Sequence, residues 1–167
     1  MAEFNTVLPK DRHSIPQRWR GILYRSQLEV RFKIMFEELG GLIADFEPQG
    51  FSWLDKNGIS KGYLPDFHLI LPSWPFDTYC EIKGTLPSVA EITKVEEFVR
   101  LDPQLSVYMI VGSPNIDAPG TLYTYQDEVS VPLQQFFSHW PKEKLETAIT
   151  KANSQQFWNP PAARKKI

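Results

Sequence analysis

The stretch YLPDFHLILPSWPFDTYCEIKG, residues 63–84, constrains the fold more than any other. Two apolar runs flank a Pro72-Ser73-Trp74-Pro75 turn, with Asp66 in the first and Glu81 and Lys83 in the second. Tyr63 to Leu71 and Thr78 to Lys83 read as two β-strands around that turn. In an antiparallel hairpin, positions equidistant from the turn centre face each other, and Asp66 and Glu81 average to 73.5, inside the turn. Their side chains should stand opposite, roughly 5 Å apart. The period of two puts Lys83 on the face of Glu81 and His68 on that of Asp66, and turns Cys80 and Ile82 to the other face.

Like charges so placed destabilise a sheet. At about 4 Å and an effective dielectric near 20, the repulsion is about 4 kcal/mol, so a compensating cation is expected. Lys83 offsets part of it and a divalent metal offsets more. Oxygen donors, with neither a Cys pair nor a His pair at metal spacing, suit Mg2+ or Mn2+ rather than zinc. The structural alternative is a salt bridge from Lys83 to Glu81 or Asp66 at a strand edge.

Around this hairpin the chain reads as one domain of 167 residues, long enough to bury roughly two-thirds of its unfolded surface. Residues 1–22 look like an irregular arm, broken by Pro9 and Pro16. Tyr24, Leu28, Phe32, Met35, Phe36 and Leu39 follow the 3.6 period of an amphipathic helix that Gly40-Gly41 ends. Leu42 to Trp53 reads as a strand and Asp55-Lys56-Asn57-Gly58 as a turn. Ser88-Val-Ala-Glu91 is a capping box opening a helix to about Leu101. Leu105 to Val111 is an apolar strand stopped by Gly112 and Pro114, and Thr121 to Tyr125 adds an edge strand. Leu133 to Trp140 and Lys142 to Phe157 read as two helices before the basic tail NPPAARKKI, residues 159–167. Helix, three strands, helix, strand predicts an α/β fold with a mixed central sheet flanked by helices.

A third carboxylate, Glu29 in YRSQLEVRF, falls at the rim of the first helix's apolar stripe, and Arg25 projects into the same stripe. Ser26-x-x-Glu29 is also a capping box, in which Glu29 would bond the helix's own start. An unpaired guanidinium on an apolar stripe is expensive, so Arg25 should meet a phosphate or a carboxylate.

Together these residues resemble the PD-(D/E)XK nuclease superfamily, the restriction-endonuclease-like fold. The resemblance rests on Glu29 in YRSQLE, Pro65-Asp66 in YLPDF, fourteen intervening residues, then Glu81-Ile82-Lys83. It covers residues 24–112, whose element order is similar to the family's αβββαβ core. The arm and the part from 113 to 158, with its strand and helices, lie outside it. The flavour is closest to small phage and mobile-element nucleases, whose motifs often look like YRSxLE and YxPDF.

The resemblance implies a metal-dependent endonuclease hydrolysing DNA phosphodiester bonds, with Glu29, Asp66, Glu81 and Lys83 catalytic. Asp66, Glu81 and the Ile82 carbonyl would hold Mg2+ or Mn2+, with Glu29 completing or orienting the shell. The metal would activate a water for in-line attack, and Lys83 would position that water or stabilise developing charge. A lysine among carboxylates stays protonated, which favours electrostatic help over general-base action. A homodimer is expected, since cutting both strands calls for two sites. The rival expectations are a nuclease fold used as a DNA-binding or inhibitory partner protein, and the cleavage subunit of a transposase-like recombination complex.

Net charge is −2, but residues 1–33 carry seven Lys/Arg against three acids, which suits a phosphate backbone or a merely solvated face. Arg18, Arg20, Arg25, Arg31 and Lys94 are the candidate nucleic-acid contacts, with Trp19 a stacking surface or an anchor to the core. Lys94 could equally be a solvated helix residue, and His68 a core histidine. Arg164-Lys165-Lys166 could touch DNA or remain free of structure, while Phe136, Phe137 and Trp140 suit a core or a dimer contact. A single cysteine, Cys80, rules out an internal disulfide and points to a reducing compartment. With no long apolar run and a polar N-terminus, a cytoplasmic location and no membrane contact are expected.

Overall fold

The computed structural model describes residues 16–75, 77–112, 128–131 and 136–157. The elements run β1 (Gln17–Trp19), β2 (Ile22–Tyr24), α1 (Gln27–Glu38), β3 (Leu42–Phe46), β4 (Phe51–Leu54) and β5 (Ser60–Tyr63). They continue with β6 (Phe67–Ile70), β7 (Asp77–Lys83), α2 (Val89–Val99), β8 (Leu105–Val111), β9 (Glu128–Val131), a 3-10 turn (Phe136–His139) and α3 (Lys142–Asn153). The central sheet has the order β3-β6-β7-β8-β9. β7 runs parallel to β8 and all other neighbours are antiparallel, so the sheet is mixed. Among the described residues no helix is long and apolar enough to cross a membrane.

Strand alternation sends side chains to two separate cores. Phe67, Leu69, Cys80, Tyr108 and Ile110 pack against α1, α3 and the 3-10 turn. Tyr79, Val107 and Met109 face the other way, toward Val95 and Phe98 of α2. The single cysteine is therefore a buried thiol, with its pKa pushed well up by burial. The β6–β7 register pairs Phe67 with Cys80 and His68 with Tyr79. Asp66 precedes the paired strand, and its N–H also reaches the Cys80 carbonyl, at 3.1 Å, in place of a ladder pairing with Glu81.

Three expectations are corrected. The presumed strand from Leu42 to Trp53 is two strands: β3 leaves the sheet at Glu47, in the left-handed region at φ 49°, and Pro48 follows. Likewise Tyr63 ends β5 and is separated from β6 by Leu64-Pro65-Asp66, so β4 and β5 form an added hairpin of their own. Its turn is the expected one, with Asp55 Oδ1 accepting from the N–H groups of Asn57 (2.8 Å) and Ile59 (2.9 Å). The hairpin covers α2: Phe51, Tyr63 and Trp53 lie 4.8, 5.0 and 5.9 Å from the Phe98 ring. Third, residues 17–22 of the supposed arm, with Leu23 and Tyr24 beyond it, form a hairpin. Arg20 (φ 46°) and Gly21 (φ 84°) both take positive φ, the two-residue turn whose twist suits adjoining strands. Trp19 lies edge-on to Phe157 at 5.8 Å, so it anchors this hairpin to the core.

The helices start and stop where their caps dictate. Ser26 Oγ accepts from the Glu29 N–H at 3.2 Å to begin α1, which leaves Tyr24 in β2. Gly40, at φ 88°, closes α1, and Gly41 follows with its Cα against the Phe36 ring. The segment expected as a helix from Leu133 to Trp140 is a 3-10 turn over its described part. α3 ends at Asn153 rather than Phe157. The expected strand at Thr121–Tyr125 and the tail 159–167 lie outside the described residues.

Candidate functional site

The charged residues gather where β6 begins, β7 ends and α1 begins. Asp66 is 4% exposed and fixed by its neighbours. Its N–H donates to the Cys80 carbonyl (3.1 Å), and its Oδ2 accepts from the Ile82 N–H (2.7 Å). Its Oδ1 takes an Nη2 donor from Arg25. The same guanidinium lies 2.9 Å (Nε) from Glu47 and 3.6 Å (Nε) from Glu29. Glu29, 4% exposed, turns back to its helix start and accepts from the Arg25 backbone N–H at 2.9 Å. It thus performs the capping role and still borders the cluster.

On the α2 side of the sheet, Glu81 receives Lys83 Nζ at 3.1 Å and the Tyr63 hydroxyl at 3.3 Å. Lys83 also donates to Glu91 at 2.7 Å. Glu91 is the capping-box residue of α2, and its other oxygen accepts from the Ser88 N–H at 2.7 Å. Five carboxylates therefore share Arg25 and Lys83.

Electrostatics register the imbalance. Burial, then the nearby Asp66 charge, raises the Glu29 carboxyl to about 7 despite Arg25. Burial raises Asp66 to about 6, against the Ile82 N–H and Arg25, which favour its charge, while Glu81 adds to the rise. Burial alone would lower Lys83, but hydrogen bonds and charges from Glu91 and Glu81 outweigh it and raise its pKa, so the amine is protonated at neutral pH. Tyr63, buried beside Glu81, has its hydroxyl held well above the usual range and stays a neutral donor.

Of the sequence-predicted residues, Glu29, Arg25, Asp66 and Ile82 meet directly. Glu81 and Lys83 lie alongside, close enough for the Glu81 charge to act on Asp66. Lys94 is near them, its Nζ 5.7 Å from the Tyr63 ring centroid. Arg31 is placed elsewhere. At 7% exposed, its Nη1 donates to the carbonyls of Ala152 (2.9 Å), Asn153 (3.0 Å) and Gln155 (3.1 Å), which caps α3 and fixes the arginine inside the fold. Arg18 and Arg20 are exposed on the β1–β2 hairpin. His68 stacks on Tyr79 with centroids 4.7 Å apart, a half-buried sheet residue. Sequence reasoning missed Glu47, Tyr63 and Glu91 as members of the cluster. Only Glu91 carried a signal, its capping box.

As donors, Asp66, Glu81, Glu29 and the Ile82 carbonyl are hard oxygens that fit magnesium or manganese. Their present arrangement does not converge: among the described residues no three His, Cys, Asp or Glu side chains could hold a metal ion as they stand. Arg25 takes one Asp66 oxygen and the Ile82 N–H the other. A pocket of about 480 Å3 opens at the far end of the same hairpin, among Trp74, Tyr108, His139 and Trp140, with no carboxylate in its wall.

No family model, no curated protein and no solved structure matches the chain.

Proposed function

We propose that the protein is a metal-dependent phosphodiester hydrolase acting on DNA, of the PD-(D/E)XK type. One observation carries this reading. Two deeply buried carboxylates, one from a helix start and one from a strand start, border a lysine–glutamate pair on the next strand, and burial holds both carboxyls far above their ordinary range. Perturbed carboxylates beside a fixed cation are a common mark of a reactive centre. The order helix, strand, two further sheet strands, helix and parallel strand supports the same assignment, with the β4–β5 hairpin as an addition.

A bound Mg2+ or Mn2+ would supply charge neutralisation at phosphate and a more acidic water. Asp66 and Glu81 would hold it, with the Ile82 carbonyl beside them and Glu29 at the rim. Lys83, protonated and pinned by Glu81 and Glu91, presents a fixed positive charge toward an oxyanion that gains charge on attack. Tyr63 fixes the other Glu81 oxygen. Arg18, Arg20 and Lys94 are suited to backbone phosphates.

A second reading is favoured by the Arg25 bridge: a DNA-binding or inhibitory module on the same fold, its carboxylates neutralised from within. Incubation with supercoiled and branched DNA plus Mg2+ or Mn2+, beside a Lys83→Ala variant, separates the two. Cleavage by wild type alone supports the hydrolase. Absence of cleavage with either metal, with DNA or protein binding retained, assigns the module. Cleavage that needs an added protein would place the chain as a subunit of a recombination complex.

A further inference from the structure

Arg25 fills the space between three carboxylates. Its guanidinium reaches Glu47, Glu29 and Asp66 at once, and the Asp66 oxygen it covers is the one not taken by the Ile82 N–H. The partners differ in freedom. The Glu29 and Asp66 side chains are 5% and 6% exposed, and each accepts a backbone N–H, whereas the Arg25 side chain is 57% exposed on a flexible stem. The arginine is therefore the member that can leave while the carboxylates stay. Its backbone remains tied to Glu29 at 2.9 Å, so a departing guanidinium stays at the mouth of the site.

We propose that Arg25 is a built-in substitute cation: it holds Glu29, Glu47 and Asp66 together in the metal-free protein, gives up Asp66 when a divalent ion binds, and then meets a substrate phosphate. The inference rests on the metal-dependent hydrolase reading and adds to it a residue that exchanges between two anions. Like charges cannot share so small a space, so ion and guanidinium compete for Asp66. A bidentate fork that suits a carboxylate suits a phosphate equally well.

The test is calorimetric titration of wild type, Arg25→Ala and Arg25→Lys with Mn2+ alone, followed by binding of a short DNA duplex in Ca2+. Arg25→Ala should take up Mn2+ more tightly than wild type, on the order of tenfold, because a competitor is gone. The same variant should bind the duplex several-fold more weakly, with Arg25→Lys intermediate in both. Arg25→Lys keeps a charge beside the carboxylates, so it serves if Arg25→Ala does not fold. In wild type, nitrogen-detected NMR should show the Arg25 Nη–H protons protected without metal and exchanging faster once Mg2+ is added. Equal or weaker Mn2+ binding by the variants, with wild-type binding intact, overturns the exchange and leaves the hydrolase reading standing. Unchanged duplex affinity in Arg25→Ala removes the phosphate role. Failure of every variant, wild type included, to bind any divalent ion overturns the hydrolase reading itself and this inference with it.

Discussion

The two ends of the β6–β7 hairpin are built from the same pair of strands and obey opposite rules. At the turn, Trp74 packs with Phe136 (5.8 Å), His139 (4.9 Å) and Trp140 (6.1 Å), an arrangement that burial alone stabilises. At the open end, Asp66 is paired with Arg25 and Glu81 with Lys83, and the Glu81 charge still acts on Asp66. Apolar surface packs favourably in any company, whereas buried carboxylates are stable only with a specific partner at a specific distance. The turn end is thus where folding energy is gained, and the open end is where part of it is given up to hold buried charge.

That contrast can be broken most severely at the turn end. Phe136 is fully buried among rings, so Phe136→Ala should destabilise the protein by about 3–5 kcal/mol, measured by denaturant unfolding, while cleavage per folded molecule stays the same. The converse belongs to the open end. On the proposed hydrolase reading, Lys83→Ala should reduce cleavage by about a hundredfold or more, because it removes a fixed charge from the proposed centre, with only a small change in stability. Cleavage that falls in step with stability in both variants would erase the distinction.

Smaller still is a pH effect confined to the open end. Glu29 and Asp66 have folded pKa values raised to about 7 and about 6, so the folded protein retains protons that the unfolded chain has lost. The stability they contribute is full below about pH 4 and is lost as pH rises through 6 to 7, up to about 3 kcal/mol for either group. Metal-free Asp66→Asn should accordingly be more stable than wild type at pH 8 and differ little at pH 4. Lower stability of Asp66→Asn at pH 8 would mean that its ion pair with Arg25 outweighs burial. The smallest expected change is at Glu91. Glu91→Gln keeps a side chain that can serve the capping box and removes the charge on Lys83. Cleavage should fall roughly tenfold with under about 1 kcal/mol lost in stability.

Much of this was legible in the chain because it follows from local periodicity. The β6–β7 hairpin needs only its turn residues and two apolar runs, and both serine caps are read directly from Ser26-x-x-Glu29 and Ser88-x-x-Glu91. Prolines supplied the information that was underused: Pro48 and Pro65 bound the β4–β5 hairpin, yet each lies in a stretch whose apolar pattern reads as continuous. The β1–β2 hairpin turns on Arg20 at positive φ, a conformation that an arginine does not announce. Arg31 shows the limit of charge as a guide. Its partners are carbonyls more than a hundred residues away, and only tertiary packing tells it apart from the exposed Arg18 and Arg20.

Glu91 has a consequence for anyone who transplants or diversifies this centre. One oxygen of its side chain begins a helix and the other grips the lysine, so the two tasks share a single carboxyl. A graft that carries Asp66, Glu81 and Lys83 into a new scaffold without the Ser88–Glu91 pair would import an amine held by Glu81 alone. Libraries that randomise the helix start would in turn scatter the amine's position.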